Sequence, residues 1–327
     1  YGGTERVVYE LTEGLVRRGH EVTLFASGNS PTTAKLVSVY PRSLREAKMV
    51  EDLYGPNAFT MLNIGTAYDM QDEFDIIHDH DGYLSLPAAN ISRKPVVMTY
   101  HGPFNPEVRR LYQTLKNPYV VSISKAQVKG VSDINLAGNV YNGLTMKDYP
   151  FSSDHEGYLL FIGRISAEKG VHYAIETALY LNLPLIIAAK LDPIDMSYFN
   201  QYVGPRLSEN IRWIGEVDLE ERNRLMSKAM CFLHPVTWKE PFGLTLIEAM
   251  ACGCPVAAFG KGSIPEIVVN GKTGYVVSEI YDMIEAVKNI ETISRQECRR
   301  HALENFNAEK MVDGYEKIYR KILAKRA

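Results

Sequence analysis

Short apolar runs alternate along the chain with stretches of helical spacing. The runs at 21–25, 76–78, 96–100, 120–122, 159–162, 185–188, 211–213, 231–233 and 256–258 are mostly apolar without alternation. That pattern predicts strands of parallel sheets covered on both faces. Between them, apolar residues recur three and four positions apart. They predict a helix from about Glu5 to Arg18 closed by Gly19, another over 171–181, and one from Leu244 onward. The alternation gives an α/β fold class with two Rossmann-like, doubly wound domains. Segment 139–154 is rich in Asn, Gly, Pro, Ser and Asp and predicts the hinge. The predicted domains are 1–145 and 146–307. A last helix over 308–327 carries Met311, Val312, Tyr315, Ile318, Tyr319 and Ile322 on one side, so it is expected to pack on another element. The opening Tyr1-Gly2-Gly3-Thr4 feeds a helix directly. In an α/β domain such a turn normally follows a strand, so a first strand is expected ahead of it.

Composition narrows the functional classes. The chain has 327 residues, 46% hydrophobic and 23% charged, enough for two sizeable cores. A net charge of −3 gives no electrostatic footprint for nucleic acid. Cys231, Cys252, Cys254 and Cys298 are too few for a disulfide framework, and Cys252-Gly-Cys254 lacks zinc or redox spacing. They are expected to be reduced thiols of a cytoplasmic protein. No apolar stretch reaches about 18 residues and no signal peptide is visible, so at most peripheral association with the inner membrane face is expected.

The most informative run is Glu240-Pro-Phe-Gly-Leu-Thr-Leu-Ile-Glu248. Glu240 is expected on a loop. Phe242, Gly243 and Leu244 should present amides at a helix start, and Glu248 should project from the first turn. A helix N-terminus suits phosphate, because its first amides are unpaired and the dipole favours negative charge. The flanking carboxylates would repel phosphate, but they accept hydrogen bonds from sugar hydroxyls. A sugar, a phosphate and a second sugar describe a nucleotide-sugar. Upstream, Gly163-Arg164 and Lys169-Gly170 bracket one strand-to-helix turn. There, two cations can converge on a diphosphate, Arg as a fork and Lys as a point charge.

His78-Asp79-His80-Asp81 resembles a metal cluster at first sight. Consecutive strand side chains point to opposite faces, so the four cannot converge, and no metal is expected. Asp79, His80 and Asp81 are instead acceptor-side candidates, one carboxylate helping to deprotonate the acceptor. Gly260-Lys261-Gly262-Ser263 is a weak oxygen-binding turn. No dinucleotide fingerprint follows the first strand, which disfavours a nicotinamide oxidoreductase.

The Gly2-Gly3 pair, Asn142-Gly143, Gly163-Arg164 with Lys169-Gly170, Ile214-Gly215, the Glu240/Glu248 run and Gly253-Cys-Pro-Val256 occur in this order. Together they resemble the family-4 retaining glycosyltransferases (glycosyl transferases group 1), over nearly the whole chain. The resemblance implies a GT-B fold, with two Rossmann-like domains facing across a cleft and the last helix returning to the first domain. It implies that Arg164 and Lys169 hold the donor diphosphate and neutralise the leaving nucleotide in place of a metal. It implies that Glu248 meets the ribose, Glu240 the transferred sugar, and the Phe242–Thr245 amides the sugar and phosphate oxygens. Gly2, Gly3, Gly163 and Ile214 are implied as donor neighbours. His101, which follows the strand at 96–100, is implied to reach the donor sugar and support transfer. Glu240 is not read as a glycosidase nucleophile, because Glu248 stands at the nucleotide end. A front-face reaction is implied, with the leaving phosphate helping to take the acceptor proton.

The activity expected is hexosyl transfer from a UDP- or GDP-linked donor, with retention and no cofactor. The partners expected are that donor and an unidentified acceptor: a sugar, a lipid-linked sugar or a small molecule. Segments 58–70 and 103–116 are expected to shape the acceptor pocket. The alternatives are a nucleotide-sugar-binding protein without transferase activity, and a phosphorylase or epimerase relative on the same fold.

Overall fold

A computed structural model describes residues 2–47 and 55–325. Tyr1 of the opening motif and the last two residues of the final predicted helix lie outside them. Two compact units divide the chain: Tyr1–Leu144 with Ala308–Ala327, and Thr145–Asn307.

In the first unit, β1 (Thr23–Phe25) and β2 (Lys35–Val37) form a parallel pair. β3 (Ile77–Asp79), β4 (Val96–Thr99), β5 (Tyr119–Ser122) and β6 (Leu136–Asn139) form a parallel four-stranded sheet in that order. The first helix, Gly3–Arg17, begins earlier than the periodicity predicts. Gly2 is extended (φ −116°) and Gly3 is the first helical residue, so the pair is a helix entry and not a tight turn. The final helix, Ala308–Leu323, packs along the first helix and β6. Arg18 pairs with Glu309, Asp313 and Glu316 at 2.7, 2.7 and 2.9 Å. Tyr315 and Tyr319 are buried and hydrogen-bond towards the sheet. Segment 58–70 lies mostly in the helix Gly55–Asp69, and 103–116 contains the helix Pro106–Thr114.

In the second unit, β7 (Leu159–Arg164), β8 (Leu185–Lys190), β9 (Ile211–Gly215), β10 (Cys231–His234), β11 (Val256–Phe259) and β12 (Gly274–Val277) make one parallel sheet. Its order is β12-β11-β10-β7-β8-β9. Relabelled within the unit, that is 6-5-4-1-2-3, the doubly wound dinucleotide-fold order. The strands are buried as continuous runs: every residue of β10 and β11 is buried, and all of β8 but Lys190. The helix Leu244–Ala251 packs on Arg295–Asn305, and Val171–Leu181 on Ile280–Lys288. β2, β6 and β12 escape the apolar-run criterion. β2 opens on an exposed lysine, β6 contains Gly and Asn, and β12 begins with Gly.

Candidate functional site

In the second unit the chain leaves β7 towards β8 on one side and β10 towards β11 on the other. The carboxyl ends of β7 and β10 therefore border the point where the strand order reverses. Ligands of open parallel sheets bind in the crevice there. Arg164 ends β7 and His234 ends β10. Arg164 is thus a strand residue and not part of the turn. Its guanidinium is half-exposed, paired with Glu168 and 3.7 Å from Asp195.

Lys169 ends the short turn before the helix Val171–Leu181. Gly170 links the two with φ +73°, and a Cβ there would stand 2.0 Å from the Pro235 carbonyl oxygen. Only glycine lets this turn lie against the residue that follows β10. Lys169 Nζ donates to Glu240 Oε2 at 3.0 Å and lies 4.6 Å from the Trp238 ring centroid. Trp238 Nε1 donates to the same Glu240 oxygen, also at 3.0 Å. His234 Nε2 stands 3.8 Å from it. Lys169 and Glu240 therefore meet in one site although 71 positions separate them in sequence, while Arg164 pairs with Glu168 and Asp195 at the end of β7. His234 and Trp238 belong to it and escape sequence reasoning. His234 reads as the end of a buried strand, and nothing in its spacing marks it.

The loop carrying Glu240 is held from behind. Ser263 donates its backbone N–H to the Glu240 carbonyl (2.9 Å) and its hydroxyl to the Phe242 carbonyl (2.8 Å). Gly262, at φ +62°, lies so close that a Cβ would meet the Glu240 carbonyl oxygen at 2.2 Å. The 260–263 turn thus braces the glutamate loop. Gly243 caps the helix Leu244–Ala251 in the left-handed region at φ +89°. Phe242 is buried against Phe306, while Leu244 and Thr245 are partly buried at the helix start. Gly163 is exposed one residue before Arg164. Ile214 is 39% exposed near the end of β9, two strands from Arg164 at the sheet edge.

Glu248 departs from the expected position. It lies in the second turn of its helix, not the first, and is 1% exposed. Its Oε1 is paired with Arg222, which is itself buried, and Tyr149 Oη donates to it at 3.4 Å.

In the first unit the His-Asp-His-Asp run divides between the two sheet faces. Asp79 is buried, accepting from Tyr68 Oη (2.8 Å), Ser85 Oγ (2.7 Å) and the Asp81 N–H (2.9 Å). It is therefore committed to the core and corrects the expectation of an acceptor-side carboxylate. His78 is fixed between Tyr319 (2.5 Å) and Thr99 (2.8 Å). His80 Nδ1 and His101 Nε2 are 3.0 Å apart. Burial pushes His101 down to about 4, so its ring is neutral at pH 7. Asp81 is exposed at the end of the run. Among the described residues no group of three or more His, Cys, Asp or Glu is arranged to hold a metal ion. The four cysteines are buried free thiols. No described helix is long and apolar enough to cross a membrane.

Comparison with known proteins adds to this geometry. Residues 146–310 match the family model for glycosyl transferases group 1, and residues 1–132 match that for glycosyltransferase family 4. The O-antigen chain mannosyltransferase C of Escherichia coli is 24% identical over 363 aligned positions, covering 100% of this chain and 96% of that protein. Sucrose-phosphate synthase from Thermosynechococcus elongatus superposes with a TM-score of 0.80 at 19% identity, over 99% of this chain and 94% of the other. Anabaena HepE in complex with UDP-glucose superposes with a TM-score of 0.75 at 18% identity, over 99% and 96%.

Proposed function

The chain belongs to the glycosyl transferases group 1 and is a glycosyltransferase of the GT-B fold, and on that premise we propose that it moves a hexosyl group from a UDP- or GDP-linked donor to an acceptor hydroxyl with retention of anomeric configuration. The observation that carries this reading is the Lys169–Glu240 pair at the switch point, with Arg164 ending β7 and Glu240 on the loop just before the Leu244–Ala251 helix. Two cations at a sheet switch point suit a diphosphate, and a carboxylate beside them suits sugar hydroxyls. Breaking the anomeric C–O bond puts negative charge on the leaving phosphate. Fixed cations stabilise that charge as it develops, and a metal is not required. Glu248 is assigned to the ribose, with Arg222 orienting its carboxylate. Gly163, Ile214 and the Phe242–Thr245 backbone complete the donor site. Gly2 and Gly3, at the first helix start, are assigned to donor contact as well. His101 supports transfer, and His80 and Asp81 are assigned to the acceptor side. The likeness to a fold that holds UDP-glucose in Anabaena HepE supports a nucleotide-sugar donor. The buried free thiols suit a reducing, cytoplasmic compartment.

A thermal-shift panel of UDP- and GDP-sugars, followed by acceptor screening by mass spectrometry and NMR of the product's anomeric proton, tests the proposal. An inverted product would overturn retention. Excess EDTA is expected to leave turnover unchanged. Loss of activity restored by a divalent ion would overturn the role given to Arg164 and Lys169. His101→Ala is expected to lower transfer while nucleoside-diphosphate affinity stays nearly constant, since His101 lies outside the unit assigned to the phosphates. Equal losses in affinity and rate, read by calorimetry and donor turnover, would reduce His101 to a binding or folding residue.

A further inference from the structure

The Lys169–Glu240 pair sets the two halves of the proposed donor site against each other. Lys169 is needed at the diphosphate, yet without donor it is spent on Glu240, 3.0 Å away. A diphosphate that draws Lys169 off would leave the Glu240 carboxylate, 9% exposed, with one fewer donor. Burying a charge without its partner is costly, so a replacement is needed at the moment the sugar must be gripped.

His234 is placed for that. Its ring is 5% exposed at the end of β10, and its Nε2 is buried without a hydrogen-bond partner. A buried polar atom left unsatisfied is rare and asks for an explanation. It points at the same oxygen that Lys169 and Trp238 hold, from 3.8 Å, too far for a hydrogen bond now and less than 1 Å beyond one. A carboxylate can only accept, so the tautomer with the proton on Nε2 is the favoured one beside it. Burial, with Lys169 adding repulsion, pushes the imidazole down to about 3, so the ring acts as a neutral donor and not as a second cation. Trp238 holds both partners, its N–H on Glu240 and its ring against the Lys169 ammonium, so it keeps Glu240 in place while the exchange occurs.

We infer that His234 is the reserve partner of Glu240: when the donor diphosphate takes Lys169, His234 Nε2–H donates to Glu240 and holds it towards the transferred sugar. This rests on the donor site proposed above. It makes His234 a positioning residue that couples phosphate binding to sugar binding.

The test uses the full chain, with UDP, GDP, UDP-glucose and GDP-mannose as probes in calorimetry. Wild type is compared with His234→Leu, which removes the donor, and His234→Gln, which restores an N–H at similar reach. Bare nucleotide is expected to bind the Leu variant more weakly than wild type, because its diphosphate already draws Lys169 from Glu240, and to bind the Gln variant nearly as wild type. The extra affinity that the sugar adds, and slow hydrolysis of the donor, are expected to fall about tenfold or more in the Leu variant and to recover largely in the Gln variant. In ¹⁵N-histidine-labelled protein, the His234 Nε2 resonance is expected to move on adding bare nucleotide, before any sugar is present. If bare nucleotide and sugar donor weaken equally in His234→Leu, or His234→Gln gives no recovery, or the resonance does not respond while nucleotide binds, the inference is overturned and the donor site stands. If wild type binds none of the four probes, both fall. Should His234→Leu fail to fold, the resonance and the Gln variant decide.

Discussion

Replacing Lys169 with alanine is expected to slow donor turnover by about two to three powers of ten, roughly 2.7–4 kcal/mol of transition-state stabilisation. The charge that meets the leaving phosphate disappears, whereas Glu240, which Lys169 holds only until donor binds, keeps Trp238 and His234. Arg164→Ala is expected to cost less, because its guanidinium is half-exposed and pairs with Glu168 and Asp195, not with Glu240. The double variant should lose less than the sum, since both cations act on one diphosphate. Glu240→Gln behaves differently. It frees Lys169 from its carboxylate, so bare nucleotide is expected to bind as well as or better than in wild type, while turnover of the sugar donor falls. Calorimetry with nucleoside diphosphate alongside steady-state turnover separates these outcomes. Wild-type turnover in Lys169→Ala would sink the assignment of the diphosphate site.

The largest effect on stability is expected at Arg222. Its pair with Glu248 is buried on both sides, with side chains 8% and 1% exposed. Removing one member of a buried pair leaves a charge without its counter-charge and typically costs about 3–5 kcal/mol. Arg222→Ala is therefore expected to lower the melting temperature of the Thr145–Asn307 unit by roughly 6–20 °C, taking about 2–4 °C per kcal/mol for a domain of this size. Arg222→Met combined with Glu248→Leu replaces both charges by apolar groups and is expected to recover most of that loss. The combination also isolates the proposed ribose contact. A well-folded double variant that binds nucleoside diphosphate as tightly as wild type would show that Glu248 serves the fold alone.

The α/β class with parallel sheets was legible in the sequence because parallel strands buried on both faces must be apolar throughout. That is how β7, β8, β10 and β11 stand out, each a run with no polar alternation. The glutamate run was legible for a local reason too. A Pro-Phe-Gly turn ahead of helical spacing fixes where the helix Leu244–Ala251 begins within a residue. Strands that open on Lys or Gly, or carry Gly and Asn, were not, because their stability comes from neighbours in the sheet and not from their own composition.

The sequence by itself determined the class, the cations of the 163–170 segment and the carboxylates of the 240–248 run, since each follows from local spacing and side-chain chemistry. Only the tertiary structure decided what those groups face. It paired Lys169 with Glu240, brought His234 and Trp238 to the same oxygen, sank Glu248 against Arg222 and turned Asp79 into the core. The reason is physical. A side chain's partners depend on which strands lie side by side, and the 4-1 adjacency of β10 and β7 is set by burial over the whole sheet.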